Sequence, residues 1–306
     1  MNDATYAAND GNVSGPIRKG VVLAGGGASR LFPLTVAVNK HLLPVYDKPM
    51  VYYPLSTLML AGIRDVLVVS APEHLSAFER LLGDGSQLGM RISYGAQRQP
   101  LGVADGLRVA ETFLAGEGCA LALGDNLFWG NYLGALSAAL VEPSGATIFA
   151  HSVEDASRYG VVELDANGRP TGIEEKPVHP RSRLAVPGLY VLDGASVAIA
   201  HAVSESARGE LEIADVLRQY LRGGSLRVVP LDGEVFWVDM GTLEGLLAAS
   251  EFVAAIQTRQ GLLVGCVEEV ALHMGWRTQA EVRAALEDWP ASPYRTHVEA
   301  LLQHDE

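Results

Sequence analysis

The chain has 306 residues, 48% hydrophobic and 19% charged, enough apolar material for one large core or two domains of the usual size of roughly 100–200 residues. Its 23 Lys and Arg stand against 36 Asp and Glu, a formal charge of −13, and no basic block occurs; this argues against a nucleic-acid partner and leaves any anionic ligand to placed cations, backbone N–H groups or a metal. The two cysteines, Cys119 and Cys266, form no CxxC pair, which disfavours a disulfide scaffold or zinc site and fits a reduced cytoplasm, and no run of roughly 18 apolar residues predicts a membrane span.

Residues 1–16 are polar and read as a disordered leader. Ile17 to Ala24 reads as a buried strand that stops at Gly25, Gly26 and Gly27, where a turn is cheap. Pro49 to Ala61 carries apolar residues at helical spacing, with Pro49 suited to the first turn and Gly62 to the C-cap. Strand and helix then alternate: Arg64 to Ser70, Glu73 to Leu82, Arg91 to Gln97, Val103 to Phe113, and the strand Cys119 to Leu123 ending at Gly124-Asp125-Asn126. This order predicts an α/β fold with a Rossmann-like, mainly parallel sheet flanked by helices and ligands beyond the strand C-termini.

From Ala146 the pattern becomes β-rich, with Thr147 to Val153, Gly160 to Leu164 and Thr171 to Lys176 as strands and Asn167-Gly168 as a hairpin turn, so the sheet is mixed. Glu210 to Arg222 and Thr242 to Gln257 read as helices, with strands Leu226 to Val229 and Val235 to Asp239 between them. The division predicted is a core of 17–260 and a mostly helical extension of 261–306, with Val270, Leu272, Val282, Ala285 and Leu286 as packing positions.

Several residues suit phosphate chemistry. The turn Gly25 to Gly27 follows a strand and can offer successive N–H groups to phosphate, with Arg30 adding a charged fork. It is neither a P-loop nor GxGxxG, and it also reads as a plain tight turn. Lys40 can neutralise a triphosphate or be merely solvated, and His41 can be a packing histidine. Asp125 and Asp239 both end strands and can share one Mg²⁺; taken singly, each reads more readily as the cap of a following helix. In Glu174-Glu175-Lys176-Pro177, strand alternation places Glu174 and Lys176 on one face and Glu175 on the other.

Taken together these segments resemble the sugar-1-phosphate nucleotidyltransferases, above all the thymidylyltransferases among them. The resemblance runs through Leu23 to Pro33, Lys40 to Gly62 (KHLLPVYDKPMVYYPLSTLMLAG), Leu82 to Gly89, Gly124 to Phe128, RYGVV at Arg158 to Val162 and Glu174 to Pro177. It continues through Gly188 to Tyr190, ARGELEIAD at Ala207 to Asp215 and WVDMGT at Trp237 to Thr242. It implies the nucleotide-diphospho-sugar transferase type of fold and a Mg²⁺-dependent reaction of a nucleoside triphosphate with a sugar 1-phosphate, dTTP with glucose 1-phosphate in the nearest members. The alternatives are another triphosphate such as UTP, another sugar or cyclitol phosphate, or a non-catalytic sensor of sugar nucleotides. Position by position, the resemblance implies a triphosphate turn at Gly25, Gly26 and Gly27, phosphate cations at Arg30 and Lys40, a metal pair at Asp125 and Asp239, and a sugar-phosphate lysine at Lys176. It implies nucleotide contacts at Leu23, His41, Gln97 and Gly102, and sugar contacts at Tyr159, Gly160, Glu175 and Val186. A homo-oligomer, commonly a dimer of dimers, and a regulatory nucleotide-sugar site are family properties that it also suggests.

Four departures stand out. Ala28 replaces a turn glycine, which would cost about 1 kcal/mol were a left-handed backbone required there. His41 replaces a glutamine that touches the base, and Asp105 replaces a glutamine, with Val103 for leucine, near Gln97. The segment from Ala271 is longer than the usual ending, and its helical pattern suits docking on the core or a subunit contact.

Overall fold

The computed structural model describes residues 17–27, 29–141, 144–231 and 233–303. The leader 1–16 and the Ala28 substitution lie outside the described residues. Strand β1 (Lys19–Leu23) leads to a short antiparallel ribbon of β2 (Pro44–Val45) and β3 (Lys48–Pro49), then to α1 (Tyr52–Leu60), β4 (Asp65–Ser70), α2 (Pro72–Leu82) and β5 (Arg91–Ala96). Next come α3 (Val103–Val109), α4 (Glu111–Leu114), β6 (Cys119–Leu123), β7 (Asn126–Trp129) and α5 (Leu133–Val141). The β-rich part holds β8 (Ala146–Ser152), β9 (Gly160–Leu164), β10 (Pro170–Glu175), β11 (Leu184–Val186) and β12 (Leu189–Leu192). After α6 (Ser196–Ala202) and α7 (Ile213–Arg222) come β13 (Leu226–Pro230), β14 (Phe236–Asp239) and α8 (Leu243–Gln260), then α9 (Val267–His273), α10 (Gln279–Leu286) and α11 (Pro293–Leu301).

The main sheet runs β10-β9-β11-β8-β12-β6-β1-β4-β5, with β13 beside β8. Around β1 the pairings with β4 and β6 are parallel, whereas β12 joins β6 and β8 antiparallel. The mixed sheet predicted from the strand order is therefore present, with its parallel part at the glycine turn. Its central strands bury both faces by simple alternation. Val22, Val66, Val68, Ala120 and Ala122 face a core shared with α1, α2, α5 and α9, while Val21, Leu67, Val69, Cys119 and Leu121 face a second core shared with α3, α6 and α7. Continuous apolar runs are what a sheet covered on both sides demands.

Three local predictions are corrected. Pro49 does not open α1; it pairs with Pro44 in the ribbon, and Pro54 takes the first helical turn, where a missing N–H costs nothing. The helix expected over Val103 to Phe113 is divided at Ala110 into α3 and α4. The helix expected from Glu210 starts only at Ile213, because Leu211 donates to Leu101 O (2.6 Å) and accepts from Ala104 N (3.1 Å), holding this stretch extended across the start of α3. The hairpin turn is as expected: Asp165 Oδ1 accepts from the N–H groups of Asn167 and Arg169, and Gly168 takes φ +76°.

The C-terminal extension docks on the core. Val267, Val270 and Ala271 of α9 are buried against α1 in the first core, and Cys266, Val282, Leu286, Val298 and Leu302 form a small apolar cluster among α9, α10 and α11. Tyr294 of α11 hydrogen-bonds Glu268 and lays its ring 5.5 Å from the buried Lys48 ammonium. Among the described residues no helix is long and apolar enough to cross a membrane.

Candidate active site

Adjacent parallel strands carry the glycine turn and the first carboxylate to one edge of the sheet. Leu23 of β1 pairs with Leu123 of β6, and Gly124 N donates to Leu23 O (2.9 Å), so Gly25 and Asp125 leave the sheet side by side. The second carboxylate arrives through a separate ribbon. Strand β14 runs antiparallel to β7 with Asp239 opposite Asn126, and Met240 N donates to Asp125 O (2.8 Å). A pairing of strands more than 100 positions apart thus sets Asp239 beside Asp125.

The convergence is tight around Gly241. A Cβ at that glycine would lie 2.9 Å from Asp239 Oδ1, 3.0 Å from Arg30 Nη2 and 3.1 Å from Asp125 Oδ2. Lys40 Nζ sits 2.5 Å from Asp125 Oδ2 with both side chains largely buried, so this lysine is not the solvated side chain of the alternative reading. Neither aspartate caps a helix: Asp125 precedes a strand, Asp239 Oδ1 accepts from Gly241 N (2.8 Å), and Thr242 caps α8 through Gly245 N.

Burial alone would raise the Asp125 carboxyl, but the Lys40 ammonium holds it well below the usual carboxylate range. Asp239 is pushed up by burial and by the negative charge of Asp125. Two carboxylate oxygens that face one point and repel each other form a hard donor pair, the type that suits Mg²⁺ more than a soft metal. Among the described residues no cluster of three or more His, Cys, Asp or Glu offers a complete metal cage. Further coordination would then come from ligand oxygens and water.

Asp125, though not Asp239, lines a cavity of about 780 Å³ with Leu23, Gly25, Gly26, Gly27, Arg30, Lys40, His41, Gln97, Gly102, Lys176 and Gly241, together with Arg158, Arg208 and Glu210. The His41 ring is buried, its Nδ1 lies 2.8 Å from Asn39 Oδ1, and burial and Lys40 push its pKa down to about 3. The imidazole is therefore neutral at ordinary pH.

Four predicted sugar residues line no part of this cavity but stand together beside it. Gly160 pairs with Glu175 and with Val186 on neighbouring strands, and Tyr159 O accepts from Lys176 N (3.0 Å). Lys176 departs from the expected alternation. Strand β10 ends at Glu175, and Lys176 turns into the left-handed region at φ +43°, which brings its Nζ to 3.5 Å from Glu175 Oε1. For a non-glycine residue such a backbone costs on the order of 1–2 kcal/mol and clusters at functional sites.

The motif reading left out three contributors. Asn126 is buried and gives Nδ2–H to Asp125 Oδ1 (3.0 Å), while its Oδ1 accepts from Trp237 Nε1 (2.6 Å) and Gly188 N (3.0 Å). Trp237 packs edge-on to Tyr159, with ring centroids 5.0 Å apart. Arg208 lines the cavity and lies within ion-pair distance of Glu175, Glu210 and Glu212. Asn126 and Trp237 stand next to Asp125 and Asp239 in the chain, the one signal they offered, and Arg208 offered none beyond its place in ARGELEIAD.

Comparison with known proteins follows the same outline. The Nucleotidyl transferase family model matches residues 19–256. A glucose-1-phosphate thymidylyltransferase of Neisseria gonorrhoeae is 47% identical over 285 residues, covering 93% of this chain and 99% of the relative. One from Mycolicibacterium smegmatis is 46% identical over 287 residues, covering 94% of this chain and 100% of the relative. A Bacillus anthracis crystal structure in complex with sucrose superposes with TM-score 0.72 at 35% identity, covering 76% of this chain and 94% of that one. A UDP-glucose pyrophosphorylase complexed with UDP-glucose shares the fold at TM-score 0.69 and 24% identity, over 79% of this chain and 100% of that one.

Proposed function

The chain belongs to the nucleotidyl transferase family, and from that membership we propose that it joins dTTP to α-D-glucose 1-phosphate, giving dTDP-glucose and pyrophosphate. The observation that carries this reading is the approach of Asp125, Asp239 and Arg30 to one point above Gly241, next to a glycine turn and a cavity of nucleotide size. Relatives 46–47% identical along nearly their whole length bear the corresponding name.

In this reading the sugar-phosphate oxygen attacks the α-phosphorus of dTTP, the α–β bridging P–O bond breaks, and pyrophosphate leaves with the electron pair. The protein's task is alignment and charge neutralisation. Backbone N–H groups of Gly25, Gly26 and Gly27 cradle the triphosphate. Arg30 meets the charge that grows on the leaving pyrophosphate, and Lys40 supplies a second cation after exchanging part of its contact with Asp125 for phosphate. Lys176, aimed by its unusual backbone, holds the sugar phosphate. Asp125 and Asp239 would hold a Mg²⁺, which when bound neutralises phosphate oxygens. Leu23, His41, Gln97 and Gly102 receive the base, and Tyr159, Gly160, Glu175 and Val186 receive the sugar.

The same reading takes residues 17–260 as the catalytic unit and 261–306 as a C-terminal extension, places the enzyme in the cytoplasm, and assigns it a homo-oligomeric state. The retained carboxylate pair favours a working transferase over a sensor, which has no need of both. Pyrophosphate release is the test: dTTP, UTP, CTP, ATP and GTP are each paired with glucose 1-phosphate, with and without Mg²⁺. Metal-dependent release that is fastest with dTTP is expected. No release from any pair would return the sensor reading, and a preference for another triphosphate would replace dTTP as the substrate.

A further inference from the structure

We propose that Asp105 is a positioning residue that locks the amide of Gln97 in one orientation, so that the cavity accepts a base bearing a ring N–H, thymine or uracil, and rejects cytosine. The proposal rests on the nucleotide reading of the cavity given above and concerns a residue to which that reading gives no part.

Gln97 stands where the sheet edge meets the glycine turn. Its backbone N–H is held by Ser70 O (2.8 Å), its side chain is buried, and it lines the cavity with Gly25, Pro100, Gly102 and Val103. Arg30 and the two carboxylates converge beyond the turn at Gly241. Phosphates belong with those cations and the turn, which leaves the wall around Gln97, Pro100, Gly102 and Val103 to the base.

The Gln97 amide has two ends, and its surroundings choose between them. Nε2 lies 2.9 Å from Asp105 Oδ2 and 3.1 Å from Gly102 O. A carboxylate and a backbone carbonyl are acceptors only, so the NH₂ end must face them. The reverse orientation would lose both hydrogen bonds and set Oε1 against two oxygens. Oε1 is thereby turned toward the glycine turn, where a Cβ on residue 25 would come within 2.7 Å of it; a side chain at Gly25 would displace it.

Asp105 is the stronger of the two anchors because a hydrogen bond to a charged group is roughly twice as strong as a neutral one. It also lies in the first turn of α3, where the helix dipole favours negative charge. A glutamine at 105 could rotate its own amide and let Gln97 rotate with it, whereas a carboxylate offers no donor in either rotamer. An acceptor fixed at the cavity wall pairs with thymine or uracil through N3–H. Cytosine presents a lone pair at the same ring position, and two acceptors then face each other unpaired, which is costly in a desolvated site.

The test measures kcat/KM for dTTP and dCTP by pyrophosphate release at saturating glucose 1-phosphate. Asp105→Ala is expected to narrow the dTTP-to-dCTP ratio about tenfold or more, through KM rather than kcat. Asp105→Glu, which keeps a carboxylate with acceptor oxygens only, should retain the ratio within about threefold. Asp105→Ser substitutes for the alanine variant should circular dichroism show that variant unfolded. In parallel, the Gln97 side-chain NH₂ resonances of the nucleotide-free protein should shift in Asp105→Ala and stay near their original positions in Asp105→Glu. An unchanged ratio in Asp105→Ala, an equal loss for both nucleotides, or unmoved NH₂ resonances overturns the proposal. Absence of pyrophosphate release by the unsubstituted enzyme with every triphosphate instead removes the transferase reading, while the NH₂ resonances still report whether Asp105 holds Gln97.

Discussion

Replacing Gly241 by alanine exchanges one hydrogen for a methyl group at the point where the site converges. The new methyl carbon would stand 2.9 Å from Asp239 Oδ1, 3.0 Å from Arg30 Nη2 and 3.1 Å from Asp125 Oδ2, all inside ordinary van der Waals contact. The backbone of Gly241 is not among the positive-φ glycines, so alanine meets no conformational penalty there. The clash must be relieved by the side chains, and Arg30 and Asp239 are both more exposed than the buried Asp125. Displacing reacting groups by about 1 Å costs on the order of 100-fold in rate, or about 2.7 kcal/mol of transition-state stabilisation at 1.36 kcal/mol per factor of ten. The expected result is therefore a fall of about 100-fold in kcat/KM for pyrophosphate release, with the urea midpoint lowered by no more than about 1 kcal/mol equivalent. Retained activity within threefold would refute the convergence of the three groups in the working enzyme. A loss of activity that merely tracks unfolding would refute its assignment to the site.

Arg30 is exposed and outside the core, so Arg30→Ala should lower turnover by about 100-fold or more while shifting stability by no more than about 0.5 kcal/mol; parallel kinetics and thermal melts check this, and equal loss of both would oppose it. Trp237→Phe removes one of two donors that orient Asn126 Oδ1 and so loosens the Asn126 contact to Asp125. Mn²⁺ affinity, read from the free-ion electron paramagnetic resonance signal, should fall about tenfold, and an unaltered affinity in a folded variant would show that the contact has no bearing on the carboxylate pair. His41 provides a pH test. Burial and Lys40 hold it near 3 in the folded chain, against 6.5 for the free imidazole. Between those values the unfolded chain binds the extra proton, so stability is lost as pH falls from 6.5 toward 3. Urea unfolding at stepped pH should show a shallower acid limb in His41→Gln, and an identical slope would place the effect on other groups.

Much of the sheet was legible in the chain itself. The strands Cys119 to Leu123 and Gly160 to Leu164 have the expected boundaries, because their apolar runs end at glycine-rich or polar turns. Strand β12 and helix α5 went unread: β12 is buried along its whole length, and α5 is apolar even at its exposed positions Ala138 and Val141, so neither shows an alternation that separates a strand from a short helix. The start of α7 was misplaced because the backbone of Leu211 is claimed by a distant segment, an interaction that local propensity does not contain. The site shows the same division. The glycine turn, Arg30, Asp125 and Asp239 stood out as residue types at strand ends, whereas Asn126 and Arg208 had no distinguishing local pattern.

Residue order alone determined the alternation that builds a two-faced sheet, the position of the phosphate-type turn, and the chemical identities of the cations and carboxylates. Only the tertiary structure decided that Lys40 pairs with Asp125, that Lys176 leaves its strand to meet Glu175, and that Asp239 arrives opposite Asn126. Periodicity is a short-range property, encoded over a few neighbouring residues by burial and backbone geometry. Which side chains meet across more than 100 positions depends on strand order and register, and these are settled by the packing of the whole sheet.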